Sequence, residues 1–196
     1  MKTGLETLGF FVRVSQSFVR ESADPVVLFG TSAFKNIERA EGGWLMVDRA
    51  CWGDPDCVRL GWNGRGLHAE YFVPFEKDGR EPPKREKHTP GDRVILCGDY
   101  GSAPYAPTAT HFKPHPAQPD FNPTGLPVVQ DFEDCRRAIV GSSTVAVDLQ
   151  LKGIPVEITD RANMANQSLG WLAWTQWSWD EIEQGEPIRH LFEWLK

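Results

Sequence analysis

Two short segments carry the residue types that hold anions. In the stretch 138–156 an apolar run ends at Val140, Gly141-Ser142-Ser143-Thr144 follows, and an amphipathic segment closes on Gly153-Ile154-Pro155. A strand, a turn of small hydroxyl residues and a helix start, in that order, offer a phosphate free amides, the positive end of a helix dipole and three hydroxyl donors. Asp148, further along the same helix, can accept hydrogen bonds from ribose hydroxyls. The plainer role for Ser142 or Ser143 is an N-cap, worth about 1 kcal/mol. The second segment is Lys113-Pro114-His115-Pro116. Prolines on both sides keep His115 out of a helix interior or a central ladder. Its imidazole is then free for a phosphate or a sugar, with Lys113 or Arg136 adding charge. His68, His88, His111 and His190 read as ordinary surface or loop residues.

Elements that position these residues follow from the pattern of apolar runs. Val26-Val27-Leu28-Phe29 reads as a strand, Ala33 to Ala40 as a helix, and Trp44-Leu45-Met46-Val47 as a second strand ending on Asp48, with a loop from Arg49 to Gly66. Residues 74–93 then break the pattern with four prolines, two glycines and eleven charged residues. Beyond them come strands at Arg93–Cys97 and Thr110–Lys113, a short helix at Asp131–Arg137, a strand at Ala138–Val140, a helix at Ser143–Lys152 and a strand at Pro155–Ile158. Strands alternating with helices predict an α/β fold with mainly parallel sheets.

The expected organisation is two small Rossmann-like lobes: an N-terminal lobe over 1–73, a junction over 74–93, a second lobe over 94–170, and C-terminal helices over 171–196 that pack across both. In that tail Trp171, Trp174 and Trp177 recur at helical spacing, which assigns them, together with Trp179 and Trp194, to packing against the sheet. Ser178 with Glu181 forms a capping box, and Pro187 opens the last helix.

The stretch Ser142 to Val156 resembles the donor-binding helix of GT-B glycosyltransferases, in which an acidic residue follows a small-residue loop and Gly-x-Pro-Val closes the unit. Lys113-Pro114-His115-Pro116 resembles the His-Pro motif that accompanies a Ser-Ser or Ser-Thr motif in the sialyl- and Kdo-type capsule transferases of bacteria. The tail 171–191 and Gly61-Trp62-Asn63-Gly64 are similar to glycosyltransferase-like proteins of tailed phages. The resemblance spans roughly residues 26–73 and 94–195. It departs from the pattern between Ser102 and Thr110, where Pro104 and Pro107 stand in place of a helix and the second lobe looks trimmed.

The resemblance implies a nucleotide-sugar co-substrate, no separate cofactor and no metal. Lys113, His115, Ser142, Ser143, Thr144 and Asp148 would hold the donor. The acceptor would be a hydroxyl, most simply a hydroxymethylated pyrimidine of phage DNA, with a glycan or lipid-linked saccharide as the alternative. Such a transfer needs a base on the lobe opposite the donor. Asp48 is the best placed, Asp54 the next, and Asp56 shares their loop; Asp48 can equally pair with Arg49. Trp52, Trp62, Asn63 and Arg65 would meet the acceptor, although tryptophans such as Trp44, Trp52 and Trp62 commonly serve as core. A second class of function, a nucleotide- or sugar-phosphate-binding module without catalysis, fits the trimmed lobe.

Composition narrows the field further. With a net charge of −6, the chain lacks the cationic surface that coats nucleic acid nonspecifically. The one basic stretch, 77–88, sets five lysines and arginines against three acidic residues. No run of eighteen apolar residues occurs and the first residues lack signal-peptide character, so the expectation is a cytoplasmic protein with no membrane insertion. Cys51, Cys57, Cys97 and Cys135 match no zinc spacing and are expected to be reduced and mostly buried. Neither G-x-G-x-x-G nor G-x-x-x-x-G-K-[ST] occurs, which disfavours a Rossmann dehydrogenase and a P-loop enzyme.

Overall fold

A computed structural model describes residues 26–29, 44–52, 56–62, 75–76 and 79–194. The chain is mixed α/β and divides into two compact units, one formed by 1–81 with 170–196, the other by 82–169. Each unit has its own four-stranded sheet.

In the first unit the strands β1 (Val26–Phe29), β2 (Trp44–Arg49), β3 (Cys57–Trp62) and β8 (Gln176–Ser178) lie side by side in that order. β1 pairs with β2 in parallel, but β2–β3 and β3–β8 are antiparallel. The expected loop over 49–66 therefore contains a strand. Val58 and Leu60 alternate into the core beside Leu45 and Val47, a period-2 signal masked by the Gly, Asp and Trp residues around it. Trp177 departs from the expected helix in the same way. Trp171 and Trp174 are helical in α2 (Leu169–Trp174), whereas Trp177 belongs to β8, pairs with Val58 and is fully buried. The core gained by adding a strand to β3 outweighs the local three-residue periodicity. The capping box forms as expected: the Ser178 hydroxyl accepts from the Glu181 amide, the Glu181 carboxylate accepts from the Ser178 amide, and α3 (Trp179–Glu183) follows. Ile188 and Leu191 of α4 (Glu186–Trp194) join this unit's core, so the last helices are part of the first unit.

In the second unit β4 (Arg93–Cys97), β5 (His111–Lys113), β6 (Cys135–Val140) and β7 (Val156–Ile158) form an entirely parallel sheet in the order β5-β4-β6-β7. Four of the five β4 residues are buried, as expected of a strand covered on both faces. One face carries Val94, Leu96, Phe112 and Ile139 and is covered by Ala103, Ala106, Ala109 and Leu126 from irregular chain. Pro104 and Pro107 exclude a helix there, and none forms between β4 and β5. The helix α1 (Val145–Leu151), whose buried residues are Ala146, Val147 and Leu149, lies against β6 and β7.

The expected helix at 131–137 is absent. The Asp131 carboxylate accepts from the Glu133 amide in a tight turn, Asp134 adopts a φ of 52°, and β6 begins at Cys135. A local side-chain turn, competing with the helix, wins at its first residue. All four cysteines are free, and Cys51, Cys97 and Cys135 are buried. Among the described residues no helix is long and apolar enough to cross a membrane.

Two consequences follow for stability. Gly153 ends α1 with a φ of 74°, and a Cβ there would lie 2.4 Å from the Glu86 carbonyl oxygen. Gly153→Ala is expected to cost roughly 1–3 kcal/mol, read as a lowered chemical-denaturation midpoint; an unchanged midpoint would contradict the close approach. Burial pushes the Cys97 thiol up to about 12, with Cys135 adding to the effect and Lys113 opposing it. An unfolded thiol ionises near 8.5, so above that pH the unfolded state releases a proton that the folded state keeps. Stability should then fall by up to about 1.4 kcal/mol per pH unit from this thiol alone, until the folded value is reached. Comparing denaturation of wild type and Cys97→Ala between pH 8 and 10 isolates that slope.

Candidate functional site

In open parallel sheets ligands bind outside the carboxyl ends of the strands, where the strand order reverses. In the second unit this occurs at β4: β5 lies on one side, β6 on the other, and the chain crosses between them. Cys97 pairs with Lys113, and Leu96 pairs with Ile139, which sets Val140 level with Cys97. Three strand ends thus lie in one row, and Pro114-His115, Gly98-Asp99 and Gly141-Ser142 leave them on the same edge. Neighbouring strands are about 4.8 Å apart, so the outer two exits are about 10 Å from each other. The His-Pro and Ser-Ser-Thr segments are thereby brought to one edge, with Asp99 between them.

The loop after β6 is shaped by a residue that sequence reasoning passed over. Asn163 is 1% exposed and caps a 3-10 turn over Met164–Asn166 by accepting from the Ala165 amide at 2.9 Å. Its Nδ2 donates to the carbonyl oxygens of Gly141 at 2.7 Å and Ser143 at 3.1 Å. In a trans peptide the carbonyl and the following amide point in opposite directions. Holding those two carbonyls inward therefore turns the amides of Ser142 and Thr144 the other way. The Ser142 amide meets the Asp99 carboxylate at 3.3 Å.

Asp99 is the second residue missed. Its Oδ2 would lie 2.2 Å from a Cβ at position 141, so only glycine lets it approach the loop this closely. Its Oδ1 is buried and has no hydrogen-bond partner among the described residues. A carboxylate oxygen left without a donor is unfavourable and is satisfied by an O–H or N–H group from water or from a ligand. The available signal was the position of Asp99 itself, directly after a buried strand and a glycine.

The remaining site residues sort as follows. The Ala117 amide donates to Nδ1 of His115 at 3.1 Å, which leaves the ring proton on Nε2, a donor for an anionic or hydroxyl ligand. The Ser143 hydroxyl accepts from the Val145 amide at 3.3 Å in a local turn one residue before the N-cap position, which Thr144 holds. Thr144 precedes α1 without a side-chain cap bond, leaving its hydroxyl for other use. The Lys113 ammonium donates to the Gln130 carbonyl oxygen and lies 5.5 Å over the Phe132 ring, so it already has protein partners. Asp148 is exposed on α1; partial desolvation raises its carboxyl from the ordinary value, with Lys152 opposing. Arg136 is exposed at the amino end of β6, four residues before the strand end, about 13 Å along the chain from the row of exits.

In the first unit Asp48 does not end its strand. It pairs with Arg59 inside the β2–β3 ladder, because the strand continues to Arg49. Trp52 is half-buried in the turn after β2, and Trp62 is the last residue of β3, paired with Leu45. Asp56 is exposed, and its carbonyl oxygen accepts from the Trp179 amide. Asp54, Asn63 and Arg65 lie outside the described residues, as does the helix expected at 33–40. Among the described residues no group of three His, Cys, Asp or Glu side chains is placed to hold a metal ion.

No protein-family model, curated protein or solved structure matches the chain.

Asn163→Leu is expected to orphan two carbonyl oxygens and a cap, at roughly 1–3 kcal/mol for each buried group left unpaired. Hydrogen exchange should reveal the loss first in the amides of 142–147. Unchanged protection there would show that the loop holds its shape without Asn163.

Proposed function

We propose that the second unit binds the phosphate-bearing part of a nucleotide-sugar, and that the chain is a GT-B-type glycosyltransferase moving a sugar to a hydroxyl acceptor. One observation carries the reading: His115 and the Ser142–Thr144 loop leave flanking strands at the same carboxyl edge, on either side of the point where strand order reverses. Nε2–H of His115 and the Thr144 hydroxyl supply donors for phosphate oxygens, and Asp99 accepts from a sugar or ribose hydroxyl. The preferred acceptor is a hydroxymethylated pyrimidine in phage DNA, as the resemblance to phage proteins implies; a glycan or lipid-linked saccharide is the alternative. Asp48 is the proposed base, followed by Asp54, with Trp52, Trp62, Asn63 and Arg65 on the acceptor side.

A second reading, a nucleotide-binding module without catalysis, is favoured by one specific feature. Proline-rich irregular chain stands where a crossover helix would join β4 to β5, which leaves the second unit with less scaffold around its edge.

A thermal-shift screen against nucleotide-sugars separates these readings from any unrelated function. A ligand at a hundred times its Kd adds about 2.7 kcal/mol of stability, and a flat response across the common nucleotide-sugars would remove both. His115→Ala should weaken the donor complex by about ten- to a hundredfold, the range for a hydrogen bond to a charged group. Asp48→Asn should keep donor affinity and lower transfer by about a hundred- to ten-thousandfold. Full turnover in Asp48→Asn would move the base to Asp54, and donor binding without any turnover in wild type would select the module.

A further inference from the structure

We propose that Tyr100 is the stacking platform for the base of a nucleotide ligand, an inference that rests on the nucleotide reading of the same edge. Tyr100 is 72% exposed, which alone means little for a surface tyrosine. What distinguishes it is how firmly its backbone is held. Asp99 and Ser102 exchange two backbone hydrogen bonds, of 2.9 and 3.3 Å, so that Tyr100 and Gly101 form the tip of a tight turn. Gly101 takes a φ of 74°, the conformation that the second central residue of a type II turn requires, and its amide donates to Oε1 of Gln118 at 2.6 Å.

The ring itself meets His115 edge-on, with centroids 5.8 Å apart and planes at 90°. An exposed aromatic ring on a pinned turn has already lost much of the freedom that binding would cost it. Tyr105, 89% exposed, lies in irregular chain and serves as the contrast. The turn also begins at Asp99, so the platform, the unpartnered Oδ1 and the His115 ring all leave the same row of strand ends. With phosphate at His115, a base one ribose away reaches the Tyr100 ring. Stacking on a single ring tolerates every base, and the ligand class is therefore nucleoside phosphates in general.

Calorimetric titration of the full chain with UDP, GDP, CMP and inorganic pyrophosphate tests this. Tyr100→Ala should weaken each nucleotide by about five- to a hundredfold, the span of base–aromatic stacking, and leave pyrophosphate affinity unchanged. Tyr100→Phe should bind nucleotides like wild type, because the ring and not the hydroxyl carries the contact. His115→Ala should lower nucleotide and pyrophosphate affinity together. The tip position keeps the Ala variant folded, which its melting temperature checks. Wild-type nucleotide affinity retained in Tyr100→Ala overturns the platform and leaves the nucleotide reading standing. A wild-type protein that binds none of the three nucleotides overturns both.

Discussion

The buried amide of Asn163 is the interaction on which the carboxyl edge of the second sheet depends. A side-chain amide has two donors, and both are spent on carbonyl oxygens two residues apart, Gly141 and Ser143. Without that clamp the loop after β6 would have to satisfy these carbonyls elsewhere, since a buried polar group without a partner costs as much as a lost hydrogen bond. The clamp is itself fixed from behind. Asn163 caps the 3-10 turn, and Gln150 of α1 donates to the Ala165 carbonyl oxygen in the middle of that turn. Loop, helix and turn thus share one hydrogen-bond network, and the direction of the Ser142 and Thr144 amides is a consequence of it.

The network also explains why glycine stands at 141 and again at 98. At 141 a side chain would occupy the space of the Asp99 carboxylate; at 98 a Cβ would come within 2.7 Å of the Phe112 ring. Phe112 is fully buried and fills the face of the sheet that Ala103, Ala106, Ala109 and Leu126 cover. The large ring and the proline-bearing chain over it together replace a crossover helix. The space they need is taken from the β4 exit, where only glycine leaves enough room for the backbone to turn toward Asp99.

Much of this edge was legible in the sequence, and the parts that were not have physical reasons. Parallel strands buried on both faces are nearly continuous apolar runs, so Arg93–Cys97 was found with its bounds intact and Val140 was found as a strand end. The capping box at Ser178 and Glu181 was equally readable, because its chemistry is local. β3 was missed since its alternation, Val58 and Leu60 inward with Arg59 between them, is short and lies among Gly, Asp and Trp residues; Arg59 is itself buried and donates to the Arg49 carbonyl oxygen. β8 was missed because Trp177 shares a three-residue spacing with helical neighbours, and only pairing with β3 decides its state. The turn at Asp131 was read as a helix start because an aspartate initiates both. Asn163 and Asp99 were overlooked for a common reason: their partners lie about twenty and forty residues away in the chain, and no local pattern announces such a bond.

Asp99 sets the chemistry that the edge can accept. A site built only from amides, hydroxyls and His115 would favour any anion, and inorganic phosphate would satisfy it. A carboxylate in the same row makes a bare anion such as pyrophosphate bind more weakly than a ligand that carries hydroxyl or amine donors beside its phosphate. One oxygen of Asp99 is already held by the Ser142 amide, which orients the other without satisfying it. Under the proposed reading, the pair of demands, a phosphate acceptor at His115 and a donor group at Asp99, is met within one molecule by a nucleotide or a sugar phosphate. Selectivity of this kind arises from the penalty of an unpaired buried group when the wrong ligand binds, which is larger than the gain from any one added contact.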